Sequence, residues 1–158
     1  MTDASLIMYD ANHRFGIGVT KVNANSSVVL HELSTSGEGD DFTRWILQEK
    51  TGHLVLKAKT PDHITLALDV REVKGRTQLC VKEYDQDSST QKWIWSRKPL
   101  IVPSTEDTLC VDNYEQTQVD GNKIWLFPKN GTPAQNWKIV RVAAFADATS
   151  ARDRTVFR

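Results

Sequence analysis

Length, composition and charge already exclude several classes of protein. The chain has 158 residues, enough for one domain, and its 39% hydrophobic and 25% charged residues are usual for a globular protein. Twenty basic residues balance twenty acidic ones, so the chain lacks the basic excess of a general nucleic-acid binder or a polybasic membrane-surface protein. No apolar run approaches the ~18 residues that span a bilayer, so we expect no membrane insertion.

The N-terminal residues and the two cysteines suggest where the protein is found. An acid comes early, and no basic segment precedes a long apolar stretch, which predicts that there is no signal peptide. We therefore expect a cytoplasmic protein, or one secreted by a non-classical route. Cys80 and Cys110 lie in apolar strand-like runs without a metal or redox spacing, which predicts two buried free thiols.

The chain repeats itself three times. Trp45, Trp93 and Trp137 are 48 and 44 residues apart, and each ends a similar tripeptide: Thr-Arg-Trp, Gln-Lys-Trp and Gln-Asn-Trp. An apolar run follows each tryptophan, and repeats of this length indicate a fold built from equivalent units. The repeat predicts a single domain at residues 1–142, with units at about 6–50, 51–98 and 99–142, and a C-terminal tail at 143–158.

Each unit contains short strands on either side of a turn. The turn is Asn25-Ser26 in the first unit, Lys74-Gly75 in the second and Asp120-Gly121 in the third. The strand before the second and third turns begins with the same pattern, Thr-Leu-x-x-Asp, and an alternating strand follows the turn. Asp-Gly between two such runs is typical of a β-hairpin.

The pattern predicts an all-β protein with at most one short helix. Strands recur about every ten residues, as in a barrel or sandwich. A single unit cannot bury its own apolar face, whereas three units that close together can, so we predict a threefold barrel with the repeated tryptophans in its core. The alanines of the tail favour a short helix near residues 143–154.

These features resemble the ricin B-type β-trefoil lectins. The resemblance rests on the three-unit layout, the Gln-x-Trp that closes the second and third units and the Leu-Cys-Val-Asp that opens the third, at residues 109–112. It implies an all-β trefoil and a carbohydrate-binding module that recognises galactose- or N-acetylgalactosamine-type glycans or glycoproteins. It also implies a protein that is not an enzyme and needs no cofactor or metal.

Of the three units, the third matches the sugar-site pattern of this family best. Asp112 stands at the family's Asp position, and Trp125 stands twelve residues before Trp137, the usual spacing of the stacking aromatic. Lys123 and Gln135 also match polar positions of the pattern. The third unit departs from it at residue 134, where an alanine replaces the Asn.

The other two units match the pattern less well. The second unit keeps Asp69 and Gln91, but counting twelve residues back from Trp93 reaches a valine, and Tyr84 would replace the aromatic only if its loop were rearranged. The first unit has no Asp near Val19, so no site of this kind is expected there. The candidate carbohydrate-binding residues are Asp112, Trp125, Lys123, Gln135, Asp69 and Gln91.

The chemistry of a sugar explains these residue types. A carboxylate accepts two hydroxyl hydrogen bonds, and an aromatic ring covers the C–H face, which together are worth about 4 kcal/mol, or a dissociation constant near millimolar. Two structural interpretations remain open. Asp112 is also placed to cap a turn, and Trp125 competes with Ile124 for the buried face of its strand.

Other functions compete with the lectin hypothesis. The four histidines have no metal-ligand spacing, and no nucleophile elbow or dinucleotide loop is present. A trefoil also serves as a rigid frame for protein-binding loops, so a protease inhibitor or scaffold acting through residues 34–41 or 60–63 is the alternative. A trefoil that mediates only assembly is a third option. A single sugar site binds weakly. Under the lectin hypothesis, useful avidity would therefore need a second site or self-association into a homo-oligomer.

The resemblance also bears on the thiols. In the lectin family a disulfide can join the second and third strands of one unit, which would place the partner of Cys110 near Phe127, whereas Cys80 belongs to another unit. We therefore predict that Cys80 and Cys110 are not bonded to each other.

Overall fold

The computed structural model describes residues 3–34, 37 and 39–143, and within them the chain forms twelve strands. The first unit contains β1 (Ser5–Tyr9), β2 (Phe15–Val19), β3 (Val28–Glu32) and β4 (Trp45–Gln48). The second contains β5 (His53–Leu56), β6 (Leu66–Val73), β7 (Arg76–Glu83) and β8 (Trp93–Ile94). The third contains β9 (Val102–Pro103), β10 (Leu109–Asn113), β11 (Ile124–Pro128) and β12 (Trp137–Arg141).

Three units of four strands surround one apolar core, which is the predicted β-trefoil. The first and last strands meet, since β1 pairs antiparallel with β12 along its whole length, from Ser5 opposite Arg141 to Tyr9 opposite Trp137. β2–β3, β6–β7 and β10–β11 form three hairpins. Single pairings join each hairpin to the next, with Ser27 opposite Cys80, Gln78 opposite Trp125 and Lys123 opposite Val29.

The repeated tryptophans are core residues, as predicted. Trp45, Trp93 and Trp137 are 0%, 3% and 4% exposed. Each indole nitrogen also donates to a backbone carbonyl inside its own unit, at 2.9, 3.1 and 3.0 Å. The acceptors are the carbonyls of Ile17, Leu68 and Val111. Each tryptophan thus satisfies its polar atom while it fills the core.

These bonds and pairings fix which residues are equivalent. The residues after the three acceptor carbonyls are Gly18, Asp69 and Asp112, and they lie opposite Val29, Cys80 and Trp125. The equivalent of Trp125 in the second unit is therefore Cys80, so counting back from Trp93 reached the wrong residue. The Asp position of the first unit is Gly18, one residue before the expected place.

The turns differ in length between units. Lys74 and Gly75 have φ of 52° and 77° and close a two-residue turn, since Val73 pairs with Arg76. The Asp120-Gly121 turn belongs instead to a ten-residue loop, 114–123, because β10 and β11 last pair at Asn113 and Ile124. The Gly121 amide donates to the Leu30 carbonyl at 2.7 Å, so this loop docks on the first unit.

Helix is scarce in the described residues. A four-residue helix, α1 (Asp40–Thr43), lies in the first unit, where the sequence did not predict one. Single 3-10 turns cover Ser89–Gln91, Tyr114–Gln116 and Pro133–Gln135. The tail helix expected near residues 143–154 falls outside the described residues, apart from Ala143, which is helical. In the described ranges, no helix has the length and apolar character to cross a bilayer.

Both cysteines are free and fully buried, as predicted. Burial raises the pKa of the Cys110 thiol to about 11, and the negative charge of Asp112 adds to the effect. Burial also raises the pKa of Cys80. Cys110 lies opposite Phe127, the position where the lectin family's disulfide partner would stand.

Candidate functional site

Asp112 is a buried carboxylate held from two sides. Its side chain belongs to a residue that is only 4% exposed. The indole nitrogen of Trp125 donates to Oδ1 at 2.8 Å, and the amide nitrogen of Gln135 donates to Oδ2 at 2.9 Å. Since each carboxylate oxygen can accept two hydrogen bonds, Asp112 keeps acceptor capacity after both bonds are made.

Asp112 does not cap the turn that follows it. That task belongs to Asn113 and Asn122, whose side chains bond to each other at 2.8 Å. Asn113 also donates to the Thr117 carbonyl and Asn122 to the Tyr114 carbonyl. The turn-capping interpretation of Asp112 is therefore wrong. The loop that follows is held by the hydrogen bonds of Asn113 and Asn122.

Trp125 lines the surface and is not a core residue. Ile124 is 0% exposed, whereas Trp125 is only partly buried, because successive strand residues face opposite sides. Phe127 stacks on Trp125 with ring centroids 4.9 Å apart, and Tyr114 meets it edge-on at 4.8 Å. Three aromatic rings therefore form one continuous surface beside the Asp112 carboxylate.

Gln135 holds Asp112 in place from the protein interior. It is fully buried, its amide nitrogen also donates to the Pro128 carbonyl, and its amide oxygen accepts from the Asn130 backbone. Gln91 makes the same three bonds in the second unit, to Asp69, the Glu83 carbonyl and the Asp85 backbone. The Gln of the Gln-x-Trp motif is thus a clamp between the Asp and the following loop.

A pocket of about 310 Å³ opens in front of Asp112 and Trp125. Two of the predicted site residues line it, and Lys123 does not: its ammonium lies 4.3 Å from the centre of the Tyr114 ring. The lining residues are Arg76, Asp112, Tyr114, Glu115, Gln116, Trp125, Phe127, Asn130, Thr132 and Ala134.

The sequence analysis did not identify several residues that line this pocket. Arg76 comes from the second unit, because the Gln78–Trp125 pairing sets the start of β7 beside β11. Tyr114 enters through the folded loop after β10. Phe127 had a usable signal, since it stands two residues after Trp125 on the same face of a strand.

The burial of Asp112 makes it a structural residue as well as a candidate site residue. Its loss would leave the donors of Trp125 and Gln135 without their acceptor. A buried donor left unsatisfied costs about 1–3 kcal/mol.

The second unit has the clamp without the aromatic surface. Asp69 is 2% exposed, and its carboxylate accepts from Gln91 at 3.1 Å and from the Val70 amide at 2.7 Å. Cys80 stands opposite Asp69, is fully buried and pairs with Ser27 of the first unit. Tyr84 does not replace the aromatic, because it packs on His53 with centroids 4.8 Å apart.

The first unit has neither part of the site. Gly18 occupies the Asp position, and a Cβ there would come within 2.8 Å of the Phe42 carbonyl. Thr43, at the Gln position, is buried with its methyl group 3.0 Å from the same point. No side chain larger than hydrogen fits at Gly18, so this unit lacks a site for a steric reason.

A larger cavity, of about 980 Å³, lies against β4, β12 and the segment around Ile101. Its carboxylates Asp3, Asp10 and Glu49 are all exposed, whereas Asp112 is buried and accepts from two side chains. In the described part of the chain, no group of three or more His, Cys, Asp or Glu side chains is arranged to hold a metal ion. The pocket at Asp112 is therefore the candidate site.

Comparison with solved structures supports the fold. The C-terminal half of an earthworm R-type lectin, solved in complex with GalNAc, is similar with a TM-score of 0.69 at 14% identity, over 88% of this chain and 98% of that one. The β-trefoil lectin of a Vibrio vulnificus hemolysin/cytolysin, solved with N-acetyl-D-lactosamine bound, gives 0.61 at 18% identity, over 88% and 93%. The designed threefold-symmetric protein ThreeFoil gives 0.69 at 16% identity, over 88% and 99%.

Comparisons of sequence found less. No protein-family model matches the chain, and no curated protein matches it. The chain is a β-trefoil that resembles the R-type lectins in structure, which confirms the resemblance drawn from the Gln-x-Trp repeats. At these identities the likeness establishes the fold alone.

Proposed function

We propose that the protein is a carbohydrate-binding module whose third unit binds galactose- or N-acetylgalactosamine-type glycans. The observation that carries the proposal is the buried Asp112 carboxylate beside the aromatic surface of Trp125, Phe127 and Tyr114. Neither sister unit combines these features. The earthworm and Vibrio neighbours, solved with GalNAc and N-acetyl-D-lactosamine, support the proposal by analogy.

The geometry suits the two sides of a sugar. Asp112 is held by Trp125 and Gln135, so its remaining lone pairs have a fixed direction for sugar hydroxyls. Trp125, Phe127 and Tyr114 line the pocket together, so the apolar face of the sugar meets a surface shared by several rings and not one isolated indole.

Asn130 offers a substitute for the amide missing at Ala134. Both residues line the pocket. The Asn130 side-chain oxygen accepts from the Thr132 amide at 3.0 Å and from its hydroxyl at 2.7 Å. This fixes the Asn130 side chain and leaves its NH₂ group to donate to a sugar hydroxyl. The amide comes from a different position in the chain but lines the same pocket.

The proposed binding is weak and non-catalytic. One carboxylate and one aromatic surface give a dissociation constant of about millimolar. Useful avidity then comes from self-association of the chain, which presents several third-unit sites together. The protein would act on glycans or glycoproteins by binding alone, either in the cytoplasm or after non-classical secretion.

A matched pair of variants tests the proposal. Asp112→Asn and Asp69→Asn remove the same charge from the same Gln clamp, but only Asp112 faces the pocket. Calorimetry with lactose should show Asp112→Asn weakened about tenfold, because charge-assisted bonds are lost, with Asp69→Asn close to the wild type. As a control, circular dichroism should show that both variants are folded.

Two outcomes contradict the proposal. If folded Asp112→Asn binds lactose as the wild type does, the site is wrongly placed. If the wild type binds no glycan on a broad array, the lectin function fails, and the loop-presenting inhibitor or scaffold becomes the better hypothesis.

A further inference from the structure

Arg76 reaches from the second unit into the pocket of the third. It follows the tight Lys74-Gly75 turn at the start of β7 and lines the pocket beside Asp112. The centre of its guanidinium lies 5.0 Å from the Trp125 ring centroid and 5.6 Å from that of Tyr114. Its Nη1 donates to the Tyr114 hydroxyl at 3.3 Å, so two aromatic residues hold the cation in place.

No carboxylate pairs with Arg76 within 4.0 Å among the described residues, in contrast to Arg14 with Glu32 and Arg44 with Asp40. The Asp112 carboxylate in the same pocket is already bonded to Trp125 and Gln135. Arg76 is therefore a positioned and exposed guanidinium on a ligand-facing wall, with most of its donors unused.

We propose that the pocket prefers anionic glycans, in which a carboxylate or sulfate group on or next to the galactose-type sugar binds Arg76. This inference rests on the proposed glycan-binding function. A planar guanidinium presents parallel N–H donors that match the two oxygens of a carboxylate or sulfate. Because Tyr114 and Trp125 restrict the side chain, less conformational entropy is lost when the anion binds.

Glu115 opposes this preference from the same wall. It is exposed and lines the pocket one residue after Tyr114, with a left-handed φ of 54°. Its negative charge repels an anionic ligand, while Lys123, on the Tyr114 ring outside the lining, adds a second positive charge nearby. Removal of the Glu115 charge should therefore strengthen binding of anionic glycans.

The experiment compares lactose with three anionic forms of it: 3′-sialyllactose, 6′-sialyllactose and 3′-sulfated lactose. For the wild type, calorimetry at low salt should show at least one anionic form binding about fivefold more tightly than lactose. The advantage should shrink in 0.5 M salt. Comparison of the two sialyllactoses with the sulfated lactose shows whether the guanidinium prefers a carboxylate or a sulfate.

Variants assign the preference to one residue. Arg76→Gln should bring the ratio of anionic to neutral affinity to about one, and Glu115→Gln should raise it. Arg97→Gln removes an exposed arginine that does not line the pocket and should leave the ratio at its wild-type value.

The possible failures are distinguishable. Equal wild-type affinity for lactose and all three anionic forms overturns the anion preference but leaves the glycan function standing. A preference that persists in Arg76→Gln overturns the assignment to Arg76. Absence of binding to every one of these sugars refutes the proposed galactose-type glycan function, and the inference fails with it.

Discussion

The second and third units share a structural clamp and differ in what faces it. In both, a Gln donates to a buried Asp and a tryptophan donates to the carbonyl before that Asp. Opposite the Asp, the third unit carries half-buried Trp125 and the second carries fully buried Cys80. The motif shared by the units therefore serves the fold, and the residue opposite the Asp decides whether a unit has an aromatic site.

The loops add to this difference. The ten-residue loop 114–123 supplies Tyr114, whereas the second unit turns in two residues and has no counterpart. In the second unit, Arg71 donates to the Asn25 carbonyl and the Ser27 hydroxyl, which fastens the first unit's hairpin close to Cys80. The first unit's hairpin is thus fastened beside Cys80 by Arg71, whereas the second unit's hairpin contributes Arg76 to the pocket beside Trp125.

The largest expected effect is the loss of stability when a repeated core tryptophan is removed, which tests whether these positions are equivalent in the second and third units. Trp93→Ala and Trp137→Ala each remove a buried indole and its bond to a carbonyl, so each should destabilise the protein by about 3–5 kcal/mol. Urea unfolding of both variants measures the effect. A small cost for either one would contradict the equivalence of the two core positions.

The Asp residues should show that the clamp stabilises both units. Asp69→Ala and Asp112→Ala leave buried donors unsatisfied, which should lower the free energy of unfolding by about 2–3 kcal/mol in each case. The same urea series measures it. If Asp112→Ala costs less than about 0.5 kcal/mol, Asp112 is not held as described.

Alkaline pH should reveal the burial of Cys110. Its pKa is raised from 9.0 to about 11, so between these values the unfolded chain releases the thiol proton and the folded chain retains it. Stability is unaffected below pH 9 and falls as pH rises towards 11, by about 2 kcal/mol for this group. Unfolding of Cys110→Ala against the wild type across this range should show a shallower decline for the variant. Parallel curves would refute the effect.

The smallest expected effect is a gain in lactose affinity when the third unit is given the missing amide. Ala134→Asn restores the amide that the lectin pattern has at this position and should strengthen lactose binding several-fold, since a neutral hydrogen bond is worth about 0.5–1.5 kcal/mol. Calorimetry measures the affinity, and thermal unfolding checks that Asn is accommodated at this buried position. The matching change in the second unit, Thr90→Asn, should create no site because no aromatic faces Asp69. Lactose binding through the second unit in that variant would contradict this.

The sequence predicted the parts of the fold that repeat locally. The spacing of the tryptophans, the strand alternation and the Lys74-Gly75 turn follow from short-range patterns, and the structure agrees with each. The lectin resemblance also pointed to Asp112 and Trp125, and these two side chains meet at one pocket. The equivalence of Cys80 to Trp125 was missed because the second hairpin is shorter and the loop after it is longer, so counting residues loses the register.

The rest of the site depends on packing between units. Arg76 and Trp125 are 49 positions apart and meet only because β7 pairs with β11. The burial of Asp112 likewise depends on Gln135, which closes over it from the following loop. No local pattern specifies either contact, since both arise from how the three hairpins close together.

The most direct test of the central claim uses the indole resonances of the wild-type protein. Trp45, Trp93 and Trp137 point their N–H groups into the core, whereas the Trp125 N–H binds Asp112 at the pocket. In a ¹⁵N–¹H titration with lactose, the account predicts that the Trp125 indole signal shifts progressively together with the amides of Phe127 and Ala134. The three core indoles and the Cys80 amide should stay in place. A titration in which the second unit shifts and Trp125 does not would contradict it.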